Sequence, residues 1–319
     1  MWKLTLRTKY GIIIVIKGDD VMYTATLSKS AFEKLKKFDP GKNIPNTECE
    51  LFIKGSLRSK NKERILLKKY YVREGEYFGR KLKNLNTLIY YKMILGEIKE
   101  LVLPDKLAII DGEIVGYTMP FIEKSKNLQT VLNSDISLED KLVYLRQIGT
   151  ILEEIKNIKD FPYDFHIGDL HEGNFLIDSK NLLRVVDLDS TYISNNKPFD
   201  AKYLSSNKIL ECLPHKYMID KDEEKIIPSI NSDLYCYVMV VLNTISKVNM
   251  SKVSIHNFYR YINYLEDIGI NKDMIYAVEK IYHSGDNESI LPYLTDDFAK
   301  RAYQATNLIY KKRTGNSLI

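Results

Sequence analysis

The sequence predicts an α+β fold, with strands concentrated in the first third of the chain and helices in the remainder. Residues 3–7, 12–17 and 21–26 are short apolar or alternating runs separated by turn residues, which is typical of strands. Beyond residue 137, apolar side chains recur every three or four positions, which is typical of helices. Runs of strands followed by runs of helices favour the α+β class. A chain of 319 residues is also long enough for two parts that each have a core.

The composition is that of an ordinary soluble protein, with 45% hydrophobic and 28% charged residues. No segment approaches the roughly 18 apolar residues of a membrane span, and no signal peptide is recognisable, so we expect no membrane partner. The three cysteines lack a CxxC spacing and favour a reducing, cytoplasmic location. The first third of the chain is basic, but its cations are not interleaved with stacking aromatics, so a nucleic-acid partner is not expected.

The first 48 residues are predicted to be a β-rich extension that also contains a helix at residues 28–38, capped by Ser28. Pro40, Gly41 and Pro45 then indicate a linker. Residues 49–54 and 64–71 form the next predicted hairpin.

The following elements lead to the centre of the chain. An apolar stripe predicts a helix close to residues 75–91, and the Asp111-Gly112 pair predicts a hairpin turn between strands at 107–110 and 115–122. Ser137 and Asp140 form a capping box that begins a helix of about 17 residues.

Residues 165–190 carry the strongest functional signal. Asp169 and Asn174 lie five positions apart in a loop bounded by glycines, and two short apolar runs that indicate a hairpin follow them. Asp187 leaves the second run. Phosphoryl transfer needs a carboxylate that orients the acceptor oxygen, and an amide and a second carboxylate that bind Mg²⁺. A single Asp or Asn beside Gly is more often an ordinary turn residue, and only the complete set with its order and spacing favours chemistry.

This pattern closely resembles the catalytic loop and the metal-binding acid of the protein-kinase-like superfamily. The resemblance implies a bilobal fold, with a small, mainly β lobe (residues 49–122) and a larger, mainly α lobe (residues 123–319), and ATP with Mg²⁺ between them. It implies that Asp169 is the catalytic base and that Asn174 and Asp187 are metal ligands. Asp189 is either a third acid near the metal or an exposed neighbour.

The resemblance also assigns residues to ATP. The strand at 64–71 implies a phosphate-pairing lysine, for which Lys68 is preferred and Lys69 is the alternative, since alternation directs only one of them toward the nucleotide. Glu76 is the best placed acid to pair with that lysine, or it simply favours the N-terminus of its helix. The implied adenine pocket has Met119 at its back and the backbone of Phe121 and Ile122 at the base edge, while Met119 could equally be a core residue.

One departure concerns the glycine-rich phosphate loop of this family, which is absent here. We hypothesise that Arg58, Lys60 and Lys62 partly replace its backbone amides, although a solvated turn explains these cations equally well. The missing loop leaves open a catalytically silent, nucleotide-binding scaffold.

The acceptor is predicted from two opposing features. His171 in GDLHEGN resembles small-molecule kinases such as aminoglycoside and choline kinases. Asp233, at the start of an apolar helix and after a long irregular segment, resembles the residue that anchors the catalytic loop in protein kinases. We expect a kinase that phosphorylates Ser/Thr hydroxyls of protein, with a small-molecule kinase as the alternative.

Overall fold

The chain combines one mixed β-sheet with a set of helices. The computed structural model describes residues 3–7, 12–17, 20–39, 48–58, 64–197, 199, 203, 219–220, 225–226, 230–246, 255–267, 269–283 and 288–301. The helices are α1 (Lys29–Glu33), α2 (Gly75–Tyr90), α3 (Lys92–Leu95), α4 (Leu128–Leu132), α5 (Leu138–Lys156), α6 (Ile230–Ser246), α7 (Ile255–Asp267) and α8 (Lys272–His283). This architecture is compatible with the predicted α+β class.

The main sheet contains eight strands in the order β1-β2-β3-β7-β8-β6-β5-β4. Its strands are β1 (Lys3–Arg7), β2 (Ile12–Lys17), β3 (Asp20–Leu27), β4 (Lys36–Phe38), β5 (Cys49–Arg58), β6 (Arg64–Tyr70), β7 (Lys106–Ile110) and β8 (Glu113–Pro120). All neighbours pair antiparallel except β3 and β7, which are parallel. The three strands predicted before residue 27 are therefore confirmed, and they continue the same sheet as the predicted hairpin at 49–71.

The helix predicted at residues 28–38 is confirmed at its start and wrong at its end, where residues 36–38 form a strand. Ser28 caps α1 as expected, because its hydroxyl accepts a hydrogen bond from the Ala31 amide at 3.2 Å. The chain leaves the helix at Lys34, and β4 then pairs antiparallel with β5. Pairing with a sheet edge supplies hydrogen bonds to the backbone that the short helix would otherwise have provided. The predicted linker at residues 40–45 lies outside the described residues.

The C-terminal part is mainly helical and has its own core. Ser137 caps α5 by accepting a hydrogen bond from the Asp140 amide at 3.0 Å, as the capping box predicted. The apolar residues of α5 and α6 share one buried cluster with Phe175 and Leu183. Those two residues lie on a small hairpin, β11 (Phe175–Ile177) and β12 (Leu183–Val185).

Shorter strands complete the structure. They are β9 (Lys126–Asn127), β10 (Phe165–His166), β13 (Tyr192–Ile193), β14 (Ile219–Asp220) and β15 (Lys225–Ile226). Helical patterns predicted near residues 257–265 and 274–282 are confirmed by α7 and α8, and residues 296–301 begin the last predicted helix. Its continuation to residue 310 lies outside the described residues. Across the part of the chain that the structure describes, none of the helices is both long enough and apolar enough to cross a bilayer.

A second hydrophobic cluster lies between the main sheet and α2. It contains Leu66, Tyr70, Phe78 and Leu85 among its buried members. This cluster is distinct from the helical core, so each part of the chain has apolar contacts of its own.

Candidate functional site

The β11–β12 hairpin brings Asn174 and Asp187 to the same end of two paired strands. Phe175 lies opposite Val185, and the Val186 amide donates to the Asn174 carbonyl at 2.9 Å. Asn174 therefore enters the first strand where Asp187 leaves the second. Asp187 has φ 65° and ψ 35°, a left-handed conformation that is uncommon for a residue other than glycine. Such conformations cluster at functional sites.

A residue of α6 binds the backbone of the loop that carries Asp169. The two carboxylate oxygens of Asp233 accept hydrogen bonds from the amides of Ile167 and Gly168 at 2.8 and 2.9 Å. Asp233 is completely buried, and this contact confirms the prediction that it anchors the loop backbone. Burial raises the pKa of Asp233 to about 7, although the two amide donors act in the opposite direction.

Two further hydrogen bonds shape the same loop. The side-chain amide nitrogen of Asn174 donates to the Asp169 carbonyl at 3.0 Å, which leaves its oxygen, Oδ1, as the atom able to bind a cation. The Gly173 amide donates to Nδ1 of His171 at 3.0 Å. A neutral His171 then carries its proton on Nε2, which lies 3.6 Å from Oδ2 of Asp169.

Strand alternation separates the two candidate lysines of β6. Lys68 points to the face of the sheet that meets the hairpin, where its ammonium contacts Oδ1 of Asp187. Lys69 points to the other face, lies 3.5 Å from Glu50 and sits 5.1 Å from the centre of the Phe32 ring. Since only Lys68 reaches the acid that follows β12, it is the lysine that belongs to this site.

Asp189 is the second acid beside Lys68, and it is not exposed. Its side chain has no accessible surface, and its oxygens lie 3.1 and 3.3 Å from the Lys68 ammonium. The Tyr70 hydroxyl donates to Oδ2 of Asp189, and the Lys81 ammonium lies 3.4 Å from the same oxygen. Burial alone would raise the pKa of Asp189, but the two lysines outweigh it and hold the pKa well below its usual range.

The predicted ion pair between Glu76 and Lys68 is not formed. The Glu76 side chain is 74% exposed and lies 3.7 Å from Lys197. Helix α2 instead points Lys81 inward, and at 3.6 residues per turn Glu76 lies roughly 140° around the helix from Lys81. Because α2 buries Phe78, Lys81 and Leu85 against the sheet, Glu76 must face solvent.

The three residues predicted at the adenine pocket lie together at the end of β8. Met119 is buried opposite Leu66 of β6, and Phe121, Ile122 and Val186 pack against the same cluster. The Phe121 amide already donates to the Arg64 carbonyl at 2.9 Å. A base edge at this position would therefore meet the Ile122 amide, which makes no hydrogen bond to another described residue, and not that of Phe121.

The donor set suits Mg²⁺ only together with phosphate. Within the described ranges there is no group of three or more His, Cys, Asp or Glu side chains that could hold a metal ion. Asn174 and Asp187 supply one amide oxygen and one carboxylate, and Mg²⁺ in nucleotide sites typically takes one or two carboxylates and completes its shell with phosphate and water. Lys60 and Lys62, two of the proposed phosphate contacts, lie outside the described residues, and Arg58 is described only through its backbone.

Sequence reasoning missed Lys81, Tyr70 and the role of Asp189. Two signals were available. Tyr70 shares a strand face with Lys68 because the two are separated by two positions. Lys81 continues the helical spacing of Phe78 and Leu85, and a lysine within an apolar stripe indicates a buried charge that needs a partner.

Comparison of the sequence with protein-family models and with curated proteins finds no match.

Proposed function

We propose that the protein is an ATP- and Mg²⁺-dependent phosphotransferase of the protein-kinase-like class, with its β-rich and helical parts as the two lobes. The observation that carries this proposal is the contact between Lys68 and Asp187, which are 119 residues apart in sequence. It joins the sheet to the end of the hairpin, beside the loop with Asp169. A cation, a carboxylate and an amide that lie together at the end of the hairpin are the groups that bind a nucleoside triphosphate and its metal ion.

Each residue then has a separate task. Asn174 Oδ1 and the Asp187 carboxylate would hold Mg²⁺, which neutralises phosphate charge when it is bound. Lys68 donates to phosphate oxygens, and Met119 with the Ile122 amide receives the base. Asp169 accepts a hydrogen bond from the acceptor hydroxyl and receives its proton as the hydroxyl oxygen bonds to the γ-phosphorus of ATP. The bond from that phosphorus to the β-phosphate oxygen breaks at the same time, and ADP is the leaving group. Asp233 fixes the loop so that this hydroxyl is aligned.

For the acceptor we propose a Ser or Thr hydroxyl of protein. The anchoring of the loop by Asp233 favours this version, because the same contact is expected in protein kinases. A small-molecule alcohol is the second candidate, and the observation that favours it is the position of His171 beside Asp169. Its Nε2–H could donate to a second oxygen of a compact acceptor.

The test measures transfer from γ-³²P-labelled ATP with Mg²⁺ to casein, to the protein itself and to two small alcohols, choline and kanamycin. Asp187→Asn and Lys68→Met are each expected to lower transfer by roughly 100-fold or more, because each removes a group that binds the phosphates or their metal. Lys69→Met is the matched control for Lys68, and Asp111→Asn, in an exposed turn with φ 51°, is the control for Asp187. Both controls should retain wild-type transfer.

The outcomes separate the candidates. Label on protein supports the main proposal, and label on choline or kanamycin alone supports the second. A rise in Tm with Mg²⁺ and ATP but no label on any acceptor identifies a silent nucleotide-binding scaffold. The absence of both label and Tm shift would refute the proposal, since a protein that binds a ligand in its folded state is stabilised by it.

A further inference from the structure

Lys68 needs an acidic partner that holds its ammonium toward the nucleotide, and the expected glutamate does not supply it. A lysine side chain has four rotatable bonds, so its direction depends on what fixes its end. Lys68 is buried, and its ammonium lies between Asp187 and Asp189. Asp187 is assigned to the metal under the proposed function, which leaves Asp189.

We infer that Asp189, fixed by Lys81 and Tyr70, is the positioning acid of Lys68, the role expected of Glu76 from the sequence. This inference rests on the proposed function, because it concerns how the ATP lysine is oriented. Lys81 of α2 is then a second positioning residue, because it acts on Lys68 through its contact with Asp189.

The contacts of Asp189 argue against a metal-binding role. Its Oδ2 atom already receives Lys68, Lys81 and the Tyr70 hydroxyl, and its side chain is inaccessible to solvent. A Mg²⁺ ion on that oxygen would lie against two ammonium groups and would lack room for the waters that it normally keeps. Asp187 differs, because 45% of its side chain is exposed, so its carboxylate can reach an ion in the open side of the site.

Charge balance explains why α2 carries a lysine. Lys68 faces the carboxylates of Asp187 and Asp189, so this trio has one cation and two anions. Lys81 adds a second cation on the far side of Asp189 and also contacts Glu48 at 2.8 Å, so two ammonium groups face three carboxylates, of which only Asp189 is fully buried. The buried Asp189 side chain is therefore held by a cation on each side and by the Tyr70 hydroxyl.

The backbone around Asp189 is held by the same helix. The side-chain amide of Asn84 donates to the Thr191 carbonyl at 2.6 Å and lies 3.4 Å from the Asp189 carbonyl. The Lys81 ammonium also donates to the Ser190 hydroxyl at 2.8 Å. Helix α2 therefore fixes both the main chain and the side chain of Asp189, which is what a positioning role requires.

The experiment compares wild type, Asp189→Asn, Lys81→Met and the double variant in the full chain. The measurements are kcat and KM for ATP in the Mg²⁺-dependent transfer assay, or in phosphate release if water is the only acceptor, and Tm. We expect Asp189→Asn to lower kcat by roughly 100-fold, the loss that a misplacement of about 1 Å can cause. The KM for ATP should change much less. Lys69→Met and Asp111→Asn serve as matched controls.

The double variant distinguishes positioning from folding. In Asp189→Asn the buried Lys81 ammonium loses its buried anionic partner and keeps only Glu48, whose side chain is 46% exposed, so Tm should fall. Adding Lys81→Met removes this poorly compensated buried ammonium and should restore part of that loss. The double variant should nevertheless keep the low kcat of Asp189→Asn. Recovery of kcat together with Tm would overturn the inference, since Asp189 would then act only through stability. Wild-type kcat in Asp189→Asn would also overturn it.

A failure of the proposed function would look different. The wild type itself would then show neither Mg²⁺-dependent consumption of ATP nor a Tm shift with the nucleotide. An active wild type with unaffected variants would instead refute only the role of Asp189. If Asp189→Asn does not fold, the double variant, which lacks the buried Lys81 ammonium, supplies the kcat measurement.

Discussion

Replacement of Asp233 by Asn tests whether the loop with Asp169 depends on its buried anchor. The substitution keeps the shape of the side chain and removes the negative charge. Only one of the two atoms that face the amides of Ile167 and Gly168 remains an acceptor, because the other becomes an NH₂ group. One buried N–H is thereby left without a partner, which costs about 1–3 kcal/mol.

Relief of a buried charge opposes this loss. Burial raises the pKa of Asp233 from 3.8 to about 7. The folded state therefore holds the proton more tightly than the unfolded state, and the stability from this group is complete below the unfolded pKa and is lost as pH rises through about 7. The total loss is about 4 kcal/mol, at 1.36 kcal/mol for each pH unit of difference. At pH 8 the relief of the buried charge exceeds the cost of the unpaired N–H, so Asp233→Asn should raise the free energy of unfolding by about 1–3 kcal/mol.

Activity should respond differently. Because the unpaired amide belongs to the segment that places Asp169, a loop shift of about 1 Å should lower kcat by roughly 100-fold. Thermal or urea unfolding at pH 5 and pH 8, measured beside kcat, checks both statements. The wild type should lose stability relative to Asp233→Asn as pH rises between these values. A variant with wild-type kcat, or one whose stability follows pH as the wild type does, would refute the reasoning.

Three further predictions concern single side chains. Gly116→Ala should destabilise the protein by about 1–3 kcal/mol and weaken ATP binding, because its new Cβ would lie 1.9 Å from the Lys68 carbonyl oxygen and force β6 and β8 apart. His166→Phe should remove a loss of about 3 kcal/mol in the free energy of unfolding that the wild type shows as pH falls from 6.5 to 4, because burial lowers the pKa of His166 to about 4. Glu76→Gln should leave transfer from ATP within about twofold of wild type, because its side chain is 74% exposed and does not reach Lys68.

Each of these predictions has its own check. Gly79→Ala is the matched glycine control, since nothing lies within 4 Å of its new Cβ, and it should stabilise α2 by about 0.5–1 kcal/mol. For His166, phenylalanine preserves the stacking on Tyr192, so the free energies of unfolding of wild type and variant, measured with urea, should diverge as pH falls from 6.5 to 4 only if the imidazole is the cause. A 100-fold loss of activity in Glu76→Gln would contradict this prediction and would indicate that Glu76 pairs with Lys68.

Much of the fold was predictable because local patterns report local structure. The strands before residue 27, the hairpin around Lys68 and the Ser137 cap each follow from a short periodicity or a capping signal. The end of the helix at residues 28–38 was not predictable in this way, since residues 36–38 join a sheet edge whose presence no local pattern reveals. Tertiary pairing overrode helix propensity there.

The sequence by itself determined the loop and hairpin that carry Asp169, Asn174 and Asp187, because these residues lie within 19 positions and a two-stranded hairpin fixes how they meet. It also limited the candidates for the proposed phosphate-pairing lysine to Lys68 and Lys69. Only the tertiary structure decided that Lys68 is buried against Asp187 and Asp189, and that α2 presents Lys81 in place of Glu76. The physical reason is that ion pairs between residues more than 100 positions apart depend on how a helix is rotated against a sheet, and the core as a whole sets that rotation.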